Sequence, residues 1–298
     1  MFDSVPLLHR NQLQVNADIV RRLIDTQFPD GRGLPLRRHP STGTVNAIYR
    51  VGEFSVRLPL LAEFADALTK EVHWLPRLAR HLPLACPEVV AVGQPAEEYP
   101  HPWAVFRWID GTPWTNDGVR DEVAAADTLA AFIDALQGAD TGGAPTARRG
   151  RQGAAVRDRD RAVRAALRST LGMVDTGAME TAWGRALAAP DWSAAPVWVH
   201  GDLLAPNLLL RHGELHAVLD FGNACVGDPA VDIAAAWALF GPVGRQRFRA
   251  AVNVDDATWA RARGWALTGI QGVGYYAETN PEFAADCRRR AEAALSDE

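Results

Sequence analysis

Residues 199–207 read Val199-His200-Gly201-Asp202-Leu203-Leu204-Ala205-Pro206-Asn207, and a second motif, Leu219-Asp220-Phe221-Gly222, follows after two short apolar runs. The pattern is H-x-D-x-x-x-x-N, then D-F-G. Between the two, residues 207–211 and 216–220 have strand composition, and His212-Gly213 is a tight two-residue turn. Such a hairpin returns Asp220 beside Asn207. Amide and carboxylate oxygens are the ligands that a hard cation such as Mg2+ requires. An aspartate in the preceding loop, Asp202, can orient a hydroxyl and accept its proton. Either motif alone recurs in unrelated chains; both at strand ends, two strands and a turn apart, point to one site.

Gly227-Asp228-Pro229-Ala230-Val231-Asp232-Ile233-Ala234 follows at once. With this run added, residues 199–234 resemble the aminoglycoside phosphotransferase and choline-kinase-like group, the small-molecule branch of the protein-kinase-like fold. HGD in place of HRD favours this branch, as does the likeness of residues 227–234 to the group's GDPxxDLA run. No activation-loop length separates DFG from that run, which argues against a protein-phosphorylating enzyme regulated there. The resemblance extends from Gly43 to about Asn280 and is specific in residues 199–234.

The rest of the chain reads consistently with two parts. Residues 44–50 and 53–60 are β-rich around Gly52 and form a hairpin; residues 61–82 form a helix with Trp74, Leu75, Leu78 and Leu82 on one face. Pro83 and Pro87 end it, and strands follow at 88–92 and 103–109. Asp110-Gly111-Thr112-Pro113 is a turn cluster and the candidate hinge. Helices are expected at 119–136, 159–168 and 176–188, a glycine- and arginine-rich loop at 141–153, a strand at 197–199, and helices beyond Asp232, with Asn280-Pro281 as an N-cap and first-turn proline. The fold class is therefore α+β. The resemblance implies two lobes: residues 1–108 a nucleotide-binding lobe with a small antiparallel sheet, and residues 109–298 a mainly helical lobe with the catalytic loop and substrate pocket.

The resemblance also implies roles. Asp202 is the catalytic residue that orients and deprotonates a hydroxyl, while Asn207 and Asp220 hold Mg2+. Thr42, Gly43 and Thr44 lie in a glycine-poor nucleotide loop whose backbone N–H groups can cradle phosphates. Arg57 stands where the group usually places a phosphate-binding lysine. This is a departure, because guanidinium and ammonium groups are not interchangeable. Glu71, beside the buried face of its helix, is the expected partner of Arg57. Asp232 is expected as a buried prop for the catalytic loop, His200 as a scaffold residue, and Asp228 as a turn carboxylate facing substrate. Residues 106–109 lead to the hinge, and either ATP or GTP satisfies the pattern. Trp237, Trp265, Tyr275, Tyr276 and Glu278 are candidates for an acidic and aromatic pocket suited to an aminoglycoside-type antibiotic, the substrate class linked with resistance.

Composition sets outer bounds. The 298 residues are 48% hydrophobic and 22% charged, ordinary globular proportions that exclude a disordered scaffold. No apolar run reaches the roughly 18 residues of a membrane span, and the opening MFDSVPLLHR lacks a secretory pattern, so a cytoplasmic protein is expected. Cys86, Cys225 and Cys287 lie far apart with no CxxC pair, against a disulfide framework or thiolate zinc site. A net charge of -5 argues against an extended nucleic-acid surface and is compatible with a cationic small substrate. The expected partner is a small molecule with a free hydroxyl. Two other readings stay open: a kinase of a metabolite such as choline, a hydroxy-amino acid or a sugar, and a catalytically silent nucleotide-binding module, suggested by Arg57.

Overall fold

The computed structural model describes residues 11–39 and 45–296, which divide into two compact units. The first takes in the described residues up to Arg80, with Ala85–Asp110 and the short segment Leu219–Gly222; the second holds His81–Leu84, Gly111–Val218 and the described residues from Asn223 onward.

The first unit is built on five antiparallel strands: β1 (Leu36–Arg38), β2 (Asn46–Val51), β3 (Phe54–Pro59), β4 (Val89–Gly93) and β5 (Trp103–Arg107), in the order β1-β2-β3-β5-β4. The central strand β3 is buried along its whole length. Side chains alternate across a strand, so Phe54, Val56 and Leu58 share one face. They join Val20, Leu23 and Ile24 of helix α1 (Ala17–Gln27) in a single apolar cluster. Arg57, of the opposite parity, meets helix α2 (Ala62–Leu78) through Glu71. Neither α1 nor β1 was expected from sequence. Asn16 nonetheless caps α1 by accepting the Ile19 N–H at 3.0 Å, a recognised helix start. On α2 the buried face is Ala65, Leu68, Glu71, Leu75 and Leu78. Trp74 is only half-buried and Leu82 lies past the helix end, so the apolar face is rotated from the expected one.

The second unit carries β6 (Thr112–Pro113), β7 (Val197–Val199), β8 (Leu208–Arg211), β9 (Glu214–Val218) and β10 (Cys225–Gly227), arranged as a three-stranded sheet β6-β8-β9 and a two-stranded ladder β10-β7. Its bulk is helical: α3 (Glu122–Gln137), α4 (Asp160–Ser169), α5 (Thr176–Ala188), α6 (Ala230–Ile233), α7 (Ala235–Leu239), α8 (Pro242–Val252), α9 (Asp256–Leu267), α10 (Ile270–Tyr275) and α11 (Pro281–Ala293). The Glu122 side chain accepts the N–H groups of Gly241 (2.5 Å) and Gly244 (3.2 Å), tying α3 to the start of α8. Trp237 and Trp259 pack with ring centroids 4.7 Å apart, and Phe240 lies between Trp114 and Phe248. The class is α+β as expected, with an antiparallel sheet in the N-terminal part and helices in the C-terminal part. Strand β9 starts and ends two residues earlier than expected, at Glu214 and Val218. Asp220 thus lies beyond the pleat, in the left-handed region at φ 61°. No helix among the described residues is long and apolar enough to cross a membrane.

Candidate active site

The loop leaving β7 is held by its own backbone. His200 is fully buried and its N–H donates to Asp232 Oδ2 at 2.6 Å, while the Gly201 N–H donates to Asp232 Oδ1 at 2.7 Å. The chain can present two successive N–H groups to one carboxylate because Gly201 sits at φ 80°, a conformation that glycine alone adopts without strain. A Cβ there would also stand 3.0 Å from Gln152 Cβ and 3.3 Å from Asn223 Cβ. Asp232 is fully buried, and burial, with the Asp202 charge adding to it, pushes its carboxyl up to about 7 despite the two N–H bonds. His200 Nδ1 accepts the Asp202 N–H at 3.2 Å, which places the ring proton on Nε2. As scaffold and prop, His200 and Asp232 behave as the sequence reading anticipated.

Beyond that clamp the turn folds back on Asp202. Asn207 Nδ2 donates to Asp202 O at 2.9 Å and to Asp202 Oδ2 at 3.0 Å. Asp202 and Asn207 are therefore brought together, both half-buried. Leu208 pairs with Val218 across the β8–β9 hairpin, so Asn207 enters and residue 219 leaves at the same end of that hairpin.

Within the first unit, Arg57 Nη1 lies 3.0 Å from Glu71 Oε1, the two side chains 9% and 2% exposed. The guanidinium also sits 4.4 Å above the Phe106 ring. Glu71 Oε1 in addition accepts the Phe221 N–H at 3.2 Å, so one carboxylate orients both Arg57 and the DFG segment. Burial pushes the Glu71 carboxyl above its ordinary value, with the neighbouring Asp220 adding to the shift and Arg57 opposing it. Asp220 Oδ1 accepts the Gly222 N–H at 3.3 Å. Thr42, Gly43 and Thr44 lie outside the described residues.

Asn207 in the second unit and Asp220 in the first each carry an oxygen of the kind a small hard cation takes. Both Asn207 Nδ2 contacts go to Asp202, which leaves the amide oxygen Oδ1 without a hydrogen bond among the described residues. Asp220 supplies a half-buried carboxylate. No group of three or more His, Cys, Asp or Glu side chains that could hold a metal occurs among the described residues. Mg2+ does not need one, since it binds through one or two carboxylates with water and substrate phosphates completing its shell.

Asp202 also lines a cavity of about 330 Å³ in the second unit, with Arg159, Trp265, Tyr276, Phe283 and Arg290. Two of the five pocket candidates, Trp265 and Tyr276, are there. Trp237 is fully buried in the core, and Tyr275 and Glu278 are exposed and line none of it. The expectation of an acidic lining is corrected: Asp202 is its one carboxylate among the described residues, and two arginines face it. Asp228 is likewise not open to substrate. It is 6% exposed and held by Arg261, whose Nε and Nη2 donate to its two oxygens at 2.7 and 3.1 Å. The Asp228 N–H donates to Gly153 O at 2.8 Å, and a Cβ on Gly227 would stand 2.2 Å from that oxygen. The motif at 227–232 is therefore a packing joint that delivers Asp232. Sequence reasoning missed Arg159, Arg261 and Arg290, which sit on ordinary-looking helical stretches with no local signal. A larger cavity of about 800 Å³, lined by Arg185, Arg249 and Trp259 among others, contains none of the motif residues.

A model of the phosphotransferase enzyme family matches residues 38–265. No curated protein matches the chain in a sequence search. In fold it is similar to the GDP and kanamycin complex of APH(2")-IIia (TM-score 0.74, 19% identity, covering 94% of this chain and 99% of that one). It is also similar to the streptomycin-ATP-APH(2")-IIa ternary complex (0.59, 20%, 87% and 90%) and to the macrolide 2'-phosphotransferase MphH from Brachybacterium faecium (0.61, 21%, 94% and 99%).

Proposed function

The chain belongs to the phosphotransferase enzyme family, and from that membership we propose that it moves the γ-phosphoryl group of ATP or GTP to a hydroxyl of a small molecule. The observation that carries this reading is the pairing of Asp202 with Asn207 at 3.0 Å, in a loop whose backbone Asp232 grips. Asp202 orients the acceptor hydroxyl and takes its proton as the new O–P bond forms. The bond from the γ-phosphorus to the β–γ bridging oxygen breaks, and the nucleoside diphosphate leaves with that electron pair. Arg57, aligned by Glu71, anchors phosphate oxygens, and backbone N–H groups at Thr42, Gly43 and Thr44 cradle them. Asn207 and Asp220 would hold Mg2+, which when bound neutralises phosphate charge. The protein's share is positioning and electrostatics. In this reading residues 1–108 serve the nucleotide and residues 109–298 supply the catalytic loop and the acceptor pocket.

The ligands named in the similar structures, kanamycin and streptomycin, support an aminoglycoside-type acceptor. The lining of the 330 Å³ cavity favours a second reading, a kinase of a different small alcohol. The test is diphosphate release with Mg·ATP or Mg·GTP across aminoglycosides, other hydroxylated antibiotics and amino-alcohols. Asp220→Ala should be inactive. Asp202→Ala should bind nucleotide normally while kcat falls by a factor of about 10²–10⁴. Full phosphotransfer by Asp202→Ala would remove the role given to that residue.

A further inference from the structure

We infer that the acceptor bears a carboxylate on an apolar body and that Arg159 receives it; the inference rests on the phosphotransferase reading above. The cavity that Asp202 lines is walled by Trp265, Tyr276 and Phe283 along with alanine and leucine side chains. A polyamine entering it would meet one carboxylate, Asp202, and two arginines. Of these, Arg290 has its charge met outside the lining, with Nε 3.0 Å from Asp286 Oδ2.

Arg159 is different. Among the described residues its Nη1 and Nη2 reach only neutral oxygens, Gly150 O and Gln271 Oε1, at 2.5 and 3.2 Å. Its Nε is buried without an acceptor among the described residues, as are Arg290 Nε and Trp265 Nε1, whose ring centroid lies 5.9 Å from the Arg159 guanidinium carbon; what distinguishes Arg159 is that no carboxylate among the described residues pairs with it. Burial and the nearby Arg151 hold the guanidinium below its ordinary value, both signs of an uncompensated cation. A buried donor left unmade is costly, and a charged acceptor is its strongest partner. A carboxylate bound in this cavity would give the Arg159 guanidinium the anionic partner it lacks, while the hydroxyl of the same molecule meets Asp202, which lines the same cavity.

The test titrates the full chain, loaded with Mg2+ and a non-hydrolysable nucleoside triphosphate, by calorimetry. The probes are 4-(hydroxymethyl)phenylacetate, its primary amide, the matching phenethylamine and kanamycin. The carboxylate should bind at least tenfold more tightly than the amide or the amine. Arg159→Gln should erase that advantage and Arg159→Lys should restore part of it, with thermal unfolding reporting that both variants are folded. In the diphosphate-release assay Arg159→Gln should raise KM for the carboxylate by tenfold or more while kcat changes by a few-fold. Equal or tighter binding of the amine or kanamycin, or a carboxylate advantage that survives Arg159→Gln, overturns the inference and leaves the phosphotransferase reading standing. Failure of the unliganded chain to bind Mg·nucleotide, titrated first, overturns both.

Discussion

Asp232 accepts the backbone N–H groups of His200 and Gly201, one on each carboxylate oxygen, at 2.6 and 2.7 Å. The loop is thus fixed, through its own main-chain N–H groups, by a carboxylate about thirty residues further along the sequence. Asp232→Asn is the sharpest probe of this clamp. The amide keeps one acceptor but turns an NH2 group toward the other backbone N–H. Loss of one buried partner costs about 1–3 kcal/mol, to be read as the change in urea unfolding free energy. The kcat for phosphotransfer should fall along with stability, while nucleotide affinity is retained. A variant as stable and active as the wild type would show that the clamp carries no weight.

The same carboxyl makes stability depend on pH in a definite direction. Burial raises Asp232 from 3.8 to about 7, so the folded state binds its proton more tightly than the unfolded state does. Its contribution to stability is full below about pH 4 and is lost as pH rises through about 7. Asn cannot titrate. The gap in melting temperature between the wild type and Asp232→Asn should therefore shrink as pH is raised from 5 to 8. A gap that widens or stays constant would contradict the assignment.

Asp228 and Arg261 are 33 residues apart and form a second buried unit, their side chains 5% and 2% exposed. Arg261 also donates to Pro190 O at 2.7 Å and to Thr258 Oγ1 at 3.0 Å, so every arm of the guanidinium is engaged. Arg261→Met leaves the Asp228 carboxylate buried without its cation, which costs about 3–5 kcal/mol. The comparison is Arg249→Met, which removes an exposed pair with Asp256 and should leave the unfolding midpoint almost unchanged. Equal midpoints for both variants would mean that the 227–232 joint owes nothing to this pair.

These contacts show where the sequence was legible. Within the span from His200 to Asp232 the scaffold role of His200, the prop role of Asp232 and the contact of Asp202 with Asn207 were legible, whereas Asp228 was read as facing substrate and is buried on Arg261. Glu71 was legible as well: a carboxylate beside an apolar helical face needs a cation. Helix α1 had a signal that was passed over, Asn16 as cap with Val20, Leu23 and Ile24 spaced to share one face. Strand β9 was read too far because Leu219 continues its apolar run, whereas the left-handed φ of Asp220 is a backbone property that aspartate does not announce. The arginines of the cavity that Asp202 lines were beyond reach in a different way. Arg159 and Arg290 come from separate segments of the helical region, and only their convergence with Trp265 gives the cavity its sign.

The Arg57–Glu71 pair lets the departure from lysine be examined without any assumed substrate. Arg57→Met strands a carboxylate that is 2% exposed and retains a single bond, the Phe221 N–H. Removing one partner of such a pair costs about 3–5 kcal/mol when the survivor stays charged. Glu71 can escape by taking up a proton, since burial and Asp220 already push it above its ordinary value and Arg57 is what holds it back. Without Arg57 the folded state would hold that proton more tightly than the unfolded chain. By the linkage sign, stability of the variant is then retained at low pH and lost as pH rises. The deficit of Arg57→Met relative to wild type should be smaller at pH 5 than at pH 8 in matched urea titrations. Arg57→Lys, which keeps the cation, should remove most of that pH dependence while losing the planar stack on Phe106. A deficit of equal size at both pH values would show that Glu71 is not ionised against Arg57, and the anchoring role given to the pair would fall with it.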